Sequence, residues 1–298
     1  NAINYRDLMT VKHAAARGIT EPRIPNSDGA GIVEEVGSGV TDFNAGDRIV
    51  GTFFEDWSCG DISAAARACA RGGTAEGLLC EYALMTERSA LPIPQNLSFE
   101  EAATLPCAGL TAWNCLIEAG GARPGNTALL LGTGGVSVFA QQMAKAFGIR
   151  TILTSSSDEK LARAADLGAN ELINYRKNPE WEQEVLRLTG GNGVDLVVEV
   201  GGAGTLEKSI AAVKVGGRIS LVGVLTGGQI NPTPIMQKSV RLQGIYVGPR
   251  DMFVRMNAAL EQNDIHPVID SVIDFKDARD AYRHMEGATH FGKIVISI

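Results

Sequence analysis

Apolar and polar residues follow a repeating pattern between residues 127 and 245, where short apolar runs alternate with stretches of helical spacing. The runs are TALLL at 127–131, TILT at 151–154, ELINY at 171–175, DLVVEV at 195–200 and RISLVGV at 218–224. Short, fully apolar runs are typical of strands that are buried on both faces, and helical stretches between them are typical of βαβ units. The pattern therefore predicts an α/β fold with a doubly wound parallel sheet.

The run LLLGTGGVS at 129–137 joins the first of these strands to a helix through a glycine turn. Gly132 permits the tight turn, and Gly134 leaves room for a pyrophosphate to approach the backbone. Ser137 replaces the third glycine of the usual pattern, so a purely structural turn remains an alternative. The strand before it and the helix after it favour a dinucleotide-binding turn, whose contacts would come from Gly132, Gly134, Gly135 and Val136.

The first 105 residues have a different pattern of short apolar segments set off by glycine and acidic residues. They are GAGIVEEVGSGV at 29–40, GDRIV at 46–50 and CEYALM at 80–85, and they predict a compact β-rich domain. Ser98 and Glu101 form a capping-box pattern that starts a helix. Near the carboxyl end we expect a helix at about 252–263 and a last strand, KIVISI, that returns to the first domain.

Composition and charge narrow the class of protein. The 298 residues have room for two domains, and 45% apolar and 20% charged residues are ordinary for a globular protein. A net charge of −7 gives no basic surface for nucleic acid or for anionic membranes. Five cysteines without CxxC spacing argue against a disulfide framework. Without an apolar run of about 20 residues or a signal-peptide pattern, we expect a cytoplasmic protein.

Five segments in this order resemble the medium-chain dehydrogenase/reductase superfamily over nearly the whole chain. They are GAGIVEEVGSGV, GDRIV, LSFEEAATLPCAGLTAW, GTGGVS and GKIVISI, and within the superfamily they are most similar to the zinc-independent quinone reductase and alcohol dehydrogenase-like branch. The resemblance implies a GroES-like catalytic domain at 1–105, a Rossmann domain at 106–247 and a carboxyl-terminal segment at 248–298 that returns to the catalytic domain. It also implies a cleft between the domains, a homodimer, and a further amino-terminal part of the catalytic domain ahead of residue 1.

The metal-ligand positions of zinc-containing relatives are mostly occupied by other residues here. Those relatives use a cysteine, a His-Glu pair and a second cysteine, whereas the corresponding positions hold Asn4, Ser27 and Asp28, and only Cys107 matches a ligand. A stable tetrahedral site needs at least three such ligands. The four histidines (His13, His266, His284 and His290) have no ligand spacing. We therefore predict that the protein binds no zinc.

The end of the second strand bears on the choice of cofactor. NAD-specific sites place a carboxylate there, but Ser155 occupies the position, and a serine does not repel a 2′-phosphate. The resemblance implies that Ser155, Lys160 and Tyr175 bind this phosphate, which predicts NADP, with NAD possible. The alternative is that Lys160 and Arg176 are solvated surface charges and that Asp158 takes the acidic role.

Further cofactor contacts are implied by the resemblance alone. They are Thr111, Val222, Gly223, Tyr246, Val247 and Lys293, the last near the phosphates. Gly201 and Gly202 follow the DLVVEV run, and they fit either packing against the adenosine or a tight turn.

Without a metal, hydrogen-bond donors must stabilise the charge that develops on the substrate oxygen. Asn4 and Tyr5 fall where relatives keep their first ligand, so they are the candidate catalytic residues, and Tyr5 can also supply a proton. The alternatives are a turn residue for Asn4 and, for Tyr5, an aromatic packing residue with its hydroxyl at the surface. Residues 53–77 are expected to set substrate selectivity, with Phe54 and Trp57 as apolar wall residues.

The sequence thus predicts a zinc-independent, NADP(H)-dependent oxidoreductase that transfers hydride to a small apolar carbonyl compound, most readily a quinone or an enone. A metal-free alcohol dehydrogenase is the near alternative. A second alternative is a dinucleotide-binding protein with little turnover, similar to lens crystallins of this superfamily. The expected partners are the small-molecule substrate and a second copy of the chain, with no nucleic acid and no membrane.

Overall fold

Residues 1–298 are described by a computed structural model, in which the chain forms two units. The first comprises Asn1–Leu110 and Val247–Ile298, and the second comprises Thr111–Tyr246. The predicted boundaries after residues 105 and 247 stay predictions. None of the helices is both long enough and apolar enough to cross a membrane.

The second unit contains a six-stranded parallel sheet in the order β10-β9-β8-β5-β6-β7. Its strands are β5 (Thr127–Leu131), β6 (Arg150–Ser155), β7 (Glu171–Asn174), β8 (Val194–Glu199), β9 (Val213–Leu221) and β10 (Arg241–Gly244). Its helices are α5 (Gly135–Ala146), α6 (Asp158–Asp166), α7 (Trp181–Leu188), α8 (Ala203–Ala212) and α9 (Thr233–Gln237). The five apolar runs thus form the predicted strands of a Rossmann-like sheet.

The core of this unit lies where the central strands meet the helices. Leu129, Ile152 and Val197 are fully buried on neighbouring strands, and Val185 and Ile210 pack against them from α7 and α8. Burial on both faces of the sheet explains why these strands show continuous apolar runs instead of alternation.

The first unit contains two three-stranded sheets. In one, β1 (Ala2–Ile3), β12 (Lys293–Ser297) and β11 (Ile269–Asp274) are adjacent in that order, with β1 antiparallel and β11 parallel to β12. The other is antiparallel, with β2 (Ala30–Ile32), β3 (Arg48–Gly51) and β4 (Ala90–Pro92). The KIVISI run is therefore a strand that pairs with the first residues of the chain.

The other helical segments belong to the first unit or to the stretch of chain around residue 110, where the second unit begins. They are α1 (Tyr5–Lys12), α2 (Ala64–Arg67), α3 (Phe99–Ala102), α10 (Arg250–Gln262) and α11 (Ala278–Gly287), while α4 (Leu110–Trp113) lies between the π-helical segments Leu105–Gly109 and Asn114–Glu118. The short 3-10 helices are Ala15–Arg17, Glu87–Ser89 and Phe275–Asp277. Ser98 caps α3 as predicted, because its hydroxyl accepts from the Glu101 amide at 3.2 Å and its amide donates to the Glu101 carboxylate at 2.8 Å.

Of the three segments that predict the β-rich domain, CEYALM at 80–85 is the one that contains no strand. No strand forms at 80–85, and the side chains of Tyr82 and Leu84 are 78% and 97% exposed. A strand needs a neighbour to accept its backbone hydrogen bonds, and none of the three sheets extends to this segment. A short apolar run by itself does not determine whether a segment pairs with a neighbouring strand.

Candidate active site

The glycine turn after β5 has the geometry expected of an anion-binding turn. Gly132 has φ +74°, and its amide donates to the Thr154 hydroxyl at 3.3 Å. A side-chain carbon built on Gly132 or Gly134 would meet open space. The first amides of α5 have no acceptor within the helix and point out of its amino end. The open space and the donors fit the pyrophosphate of a nicotinamide dinucleotide.

Ser137, the residue that departs from the glycine pattern, has a structural role of its own. Its buried hydroxyl donates to the carbonyl of Leu131 at 2.6 Å. This bond joins the first turn of α5 to the end of β5, so it holds the turn between them in place. The departure therefore does not disrupt the turn.

Of the predicted 2′-phosphate residues, Ser155 and Tyr175 lie at the carboxyl ends of β6 and β7, and Lys160 lies in the first turn of α6. The Ser155 side chain is buried, and its hydroxyl accepts from the Ser157 amide at 3.3 Å. Tyr175 is half-exposed, and its amide donates to the Ser155 carbonyl at 3.0 Å. Ser156, which sequence reasoning overlooked, is the partly exposed hydroxyl beside Ser155. The backbone amide of Lys160 donates to the hydroxyl of Ser157, the residue that caps α6, at 3.3 Å.

Asp158, the alternative ribose ligand, already has two partners. Its carboxylate accepts from the amide of Asn174 at 2.7 Å and forms an ion pair with Lys177. The hydrogen bonds from Lys177 and Asn174 lower the pKa of Asp158. Arg176 lies at the same turn, with its backbone amide bonded to the Asn174 side chain at 3.0 Å. Binding of a ribose by Asp158 would therefore compete with these contacts.

The remaining predicted cofactor residues lie at several places. Val222 and Gly223 follow β9, Thr111 is buried in α4, Tyr246 is half-exposed, and the next residue, Val247, is buried with φ +59°. A positive φ is unusual for a β-branched residue and marks local strain. These positions stay predicted contacts.

The first unit contains a buried polar cluster around Asn4. Asn4 precedes α1, and its backbone amide donates to the carboxylate of Asp7 at 2.9 Å. Lys293, only 3% exposed, donates from its ammonium to the Ile3 carbonyl at 2.7 Å and to Oδ1 of Asn4. Two of the three ammonium donors are therefore used within this unit, although Lys293 was predicted as a phosphate contact. Tyr5, the other candidate catalytic residue, is partly exposed at the start of α1.

Asp28 is the buried carboxylate of this cluster. It accepts from the Ser27 hydroxyl at 2.6 Å and from the Cys107 amide at 3.2 Å. Burial raises the pKa of Asp28, while the nearby charge of Lys293 and hydrogen bonding by Ser27 and Asn4 oppose the rise. Nδ2, the only donor of the Asn4 side chain, lies near enough to Asp28 to affect its pKa but makes no full hydrogen bond. Asn4 thus lies between a lysine ammonium and a buried carboxylate.

These residues do not fit a zinc ion. Burial, followed by the charge of Asp28, raises the pKa of the Cys107 thiol, which opposes the thiolate that zinc needs. The ammonium of Lys293 is bonded to Asn4, the residue at the first ligand position, so a cation there would be repelled. No group of three or more histidine, cysteine or acidic residues is arranged to hold a metal ion.

Phe54 and Trp57 lie in the segment 53–77, whose two ends are joined by an ion pair. Phe54 is buried, with its ring centroid 5.4 Å from that of Trp57 in an edge contact, and Trp57 is partly exposed. The buried guanidinium of Arg71 joins the two ends of the segment through Glu55 at 3.0 Å and also donates to Ser89 at 2.9 Å. Of the two predicted wall residues, Trp57 is the more exposed to solvent, because Phe54 is buried.

Comparisons with known proteins agree with this architecture. Two family models match the chain, "Alcohol dehydrogenase GroES-like domain" over residues 1–95 and "Zinc-binding dehydrogenase" over residues 135–262. A zinc-type alcohol dehydrogenase-like protein of Schizosaccharomyces pombe is 43% identical over all of this chain and 88% of its own length. The quinone oxidoreductase of Rattus norvegicus is 28% identical over 92% of this chain and 80% of its own.

A solved structure extends the similarity to the fold. The structure of an NAD-dependent alcohol dehydrogenase, 35% identical, covers all of this chain and 89% of its own, with a TM-score of 0.91. The chain therefore belongs to the medium-chain dehydrogenase/reductase superfamily. It is an NAD(P)-dependent oxidoreductase of the alcohol dehydrogenase-like or quinone oxidoreductase-like kind.

Proposed function

We propose that this protein reduces small apolar carbonyl compounds, with quinones and enones as the preferred class, using NADPH and no zinc. The observation that carries the proposal is the buried ammonium of Lys293 bonded to Asn4 beside Asp28, at positions where zinc-containing relatives keep ligands. The positive charge of this ammonium would repel a zinc ion at the same place. The sequence similarity to a quinone oxidoreductase supports the substrate class.

The cofactor is proposed to lie against the second unit. The turn at Gly132 and Gly134 would receive the pyrophosphate, and Lys160 with Tyr175 would receive the 2′-phosphate. When bound, a reduced nicotinamide supplies the hydride. NADPH is favoured over NADH because the turn after β6 presents hydroxyls and a lysine, while its carboxylate, Asp158, is paired with Lys177.

Asn4 is proposed to stabilise the negative charge on the substrate oxygen. An ammonium can only donate, so Lys293 orients the Asn4 amide with Oδ1 towards itself and leaves Nδ2 as the donor. Nδ2 makes no full hydrogen bond within the protein and interacts only weakly with Asp28, so it can turn to donate to a substrate oxygen. Conjugate reduction places charge on one oxygen, which a single donor can stabilise, and Tyr5 is proposed to supply the proton.

A metal-free alcohol dehydrogenase is the second candidate. The names of the 43% identical relative, a zinc-type alcohol dehydrogenase-like protein, and of the 35% identical structure, an NAD-dependent alcohol dehydrogenase, favour alcohols as the substrate class. The absence of the metal in this candidate rests on the Lys293 and Asn4 contact alone. The two candidates differ in substrate, not in cofactor chemistry, so one set of assays separates them.

The test is oxidation of NADPH and NADH by chelator-treated protein, offered a quinone, an enone and an aldehyde in parallel, with the reverse reaction on alcohols. We expect turnover with the quinone or the enone, NADPH preferred, and less than one equivalent of bound metal by elemental analysis. Turnover of alcohol and aldehyde alone would favour the second candidate. Activity that disappears with the metal and returns with zinc would refute the proposal, and cofactor binding without turnover would favour a binding protein.

Two substitutions test the residue roles. Asn4→Ala is expected to lower kcat by about a hundredfold, the usual effect of removing one oxyanion donor, while the exposed control Asn192→Ala leaves it unchanged. Lys160→Ala is expected to raise KM for NADPH at least about tenfold and to leave KM for NADH within about twofold. The exposed control Lys276→Ala should alter neither value. An equal change for both cofactors would exclude the proposed 2′-phosphate contact.

A further inference from the structure

The strand order of the second unit reverses between β5 and β8. Successive strands run from β5 to β6 and β7 on one side, and from β8 to β9 and β10 on the other. In open α/β sheets the ligand binds outside the carboxyl ends of the strands at such a reversal. The glycine turn follows β5 here, and on the other side of the reversal β8 ends at Glu199, just before the loop that leads to α8.

Glu199 is a fully buried carboxylate with an internal donor for each oxygen. Its Oε1 accepts from the amides of Gly201 at 2.8 Å and Gly202 at 3.1 Å and from the hydroxyl of Thr205 at 2.6 Å. Its Oε2 accepts from the hydroxyl of Ser209. Bonds to an ionised acceptor are the stronger kind, so this carboxylate fixes the turn between β8 and α8.

The backbone of Glu199 also holds the loop after β9. Its carbonyl accepts from the amides of Val222 and Gly223, both at 2.9 Å. The two loops approach so closely that a side-chain carbon on Gly223 would lie 1.9 Å from the carbonyl carbon of Val200. Val222 and Gly223 are the predicted cofactor contacts of this loop, and their position depends on Glu199.

Thr226 joins the same loops a second time. Its carbonyl accepts from the Ala203 amide at 3.2 Å, its hydroxyl accepts from the Gly204 amide at 2.8 Å, and its own amide donates to the Gly201 carbonyl at 3.1 Å. With Glu199 accepting from the two preceding amides, the amino end of α8 has its donors satisfied internally. The phosphates of a dinucleotide are thereby directed to α5, whose first amides face open space.

We propose that Glu199 is a positioning residue for the nicotinamide cofactor, which holds the loops after β8 and β9 in the binding arrangement before the cofactor arrives. The proposal rests on the contacts of Val222 and Gly223 with the cofactor under the proposed function. It requires no contact between Glu199 and the cofactor. Only molecules in the competent arrangement bind the ligand, so the apparent affinity is the intrinsic affinity multiplied by the fraction of such molecules. Loss of this carboxylate should lower that fraction and weaken binding, without slowing the enzyme once the cofactor is bound.

The test measures Kd for NADPH and for NADH by fluorescence titration, kcat at saturating cofactor, and Tm without cofactor. Glu199→Ala is expected to raise both Kd values by the same factor, at least about tenfold, with kcat within about twofold of the unsubstituted protein. Glu199→Gln should stay within about threefold in Kd, since an amide oxygen still accepts from Gly201 and Gly202 while the Ser209 hydroxyl turns to accept. The matched control is Glu207→Ala, an exposed carboxylate on the same helix.

A lower Tm with an unchanged Kd for Glu199→Ala would mean a merely structural role and would overturn the proposal, as would a loss of kcat at saturation. If Glu199→Ala fails to fold, Thr226→Val decides, because it loosens the same loops from the exposed side. It should raise Kd about threefold, and an unchanged Kd in Thr226→Val would overturn the proposal. A preference for NADH, or no quinone reduction, would refute the proposed function. It would not affect this test, which compares the Kd of each variant with the Kd of the unsubstituted protein.

Discussion

Replacement of Lys293 by methionine removes the cation of the buried cluster while keeping a side chain of similar length. The ammonium donates to the Ile3 carbonyl and to Oδ1 of Asn4, and its charge opposes the rise in the pKa of Asp28. Lys293→Met therefore leaves two buried acceptors without a donor and a buried carboxylate without its counter-charge.

The magnitude follows from these losses. An unsatisfied buried acceptor costs about 1–3 kcal/mol, and breaking a buried charge pair by removing one partner costs about 3–5 kcal/mol in all. Methionine recovers part of this, because the apolar side chain has no ammonium to desolvate. We expect Lys293→Met to lower the free energy of unfolding by about 3 kcal/mol. Lys12→Met is the control, since Lys12 pairs with Glu286 at the surface and should cost at most about 1 kcal/mol.

The assay is urea unfolding followed by circular dichroism, combined with hydrogen exchange of the β1 and β12 amides, because two units need not unfold in one step. A raised pKa of Asp28 in the folded protein means that stability is fully present below the unfolded pKa and is lost as the pH rises through the folded one. Lys293→Met raises that folded pKa further. The cost of the substitution should therefore be smaller at pH 5 than at pH 8.

A double-mutant cycle with Asp28→Asn provides the refutation. If the charge of Lys293 compensates Asp28, the two substitutions together should cost at least about 1 kcal/mol less than the sum of their separate costs. Additive costs, or a Lys293→Met effect no larger than that of Lys12→Met, would show that the ammonium does not stabilise the cluster.

Three further predictions concern single contacts. Gly223→Ala places a carbon 1.9 Å from the backbone of Val200 and should cost about 3 kcal/mol in urea unfolding, whereas Gly227→Ala, with open space around it, should change stability by less than about 0.5 kcal/mol. Ser137→Ala removes the hydroxyl bonded to the end of β5 and should cost about 1 kcal/mol by thermal unfolding; an unchanged Tm would contradict that role. Hydrogen bonding to nearby carboxylates raises the pKa of His266, so its contribution is present below the unfolded pKa and lost above the folded one. His266→Gln should therefore cost up to about 1 kcal/mol at pH 6 and nothing at pH 9, the small value reflecting its exposure.

The pattern of apolar residues and glycines among neighbouring positions was sufficient to predict the parallel sheet and the glycine turn. A strand buried on both faces needs a continuous apolar run, and a turn with positive φ needs glycine, so each requirement is visible within a few neighbouring residues. That is why the strands after Ala128 and the turn at Gly132 were predicted from sequence. The superfamily followed from the order of such segments along the chain.

The contacts that organise the candidate sites were decided by tertiary structure. Lys293 and Asn4 are separated by 289 residues, and no local pattern indicates that their side chains meet. In the sequence, Glu199 is one residue of an apolar strand, and only the fold shows that its carboxylate accepts from the amides of Gly201 and Gly202. The segment at 80–85 is a short apolar run, yet it has no partner strand. Periodicity and backbone preference are local properties of a chain, whereas strand pairing and the compensation of buried charge depend on which distant residues the fold brings together.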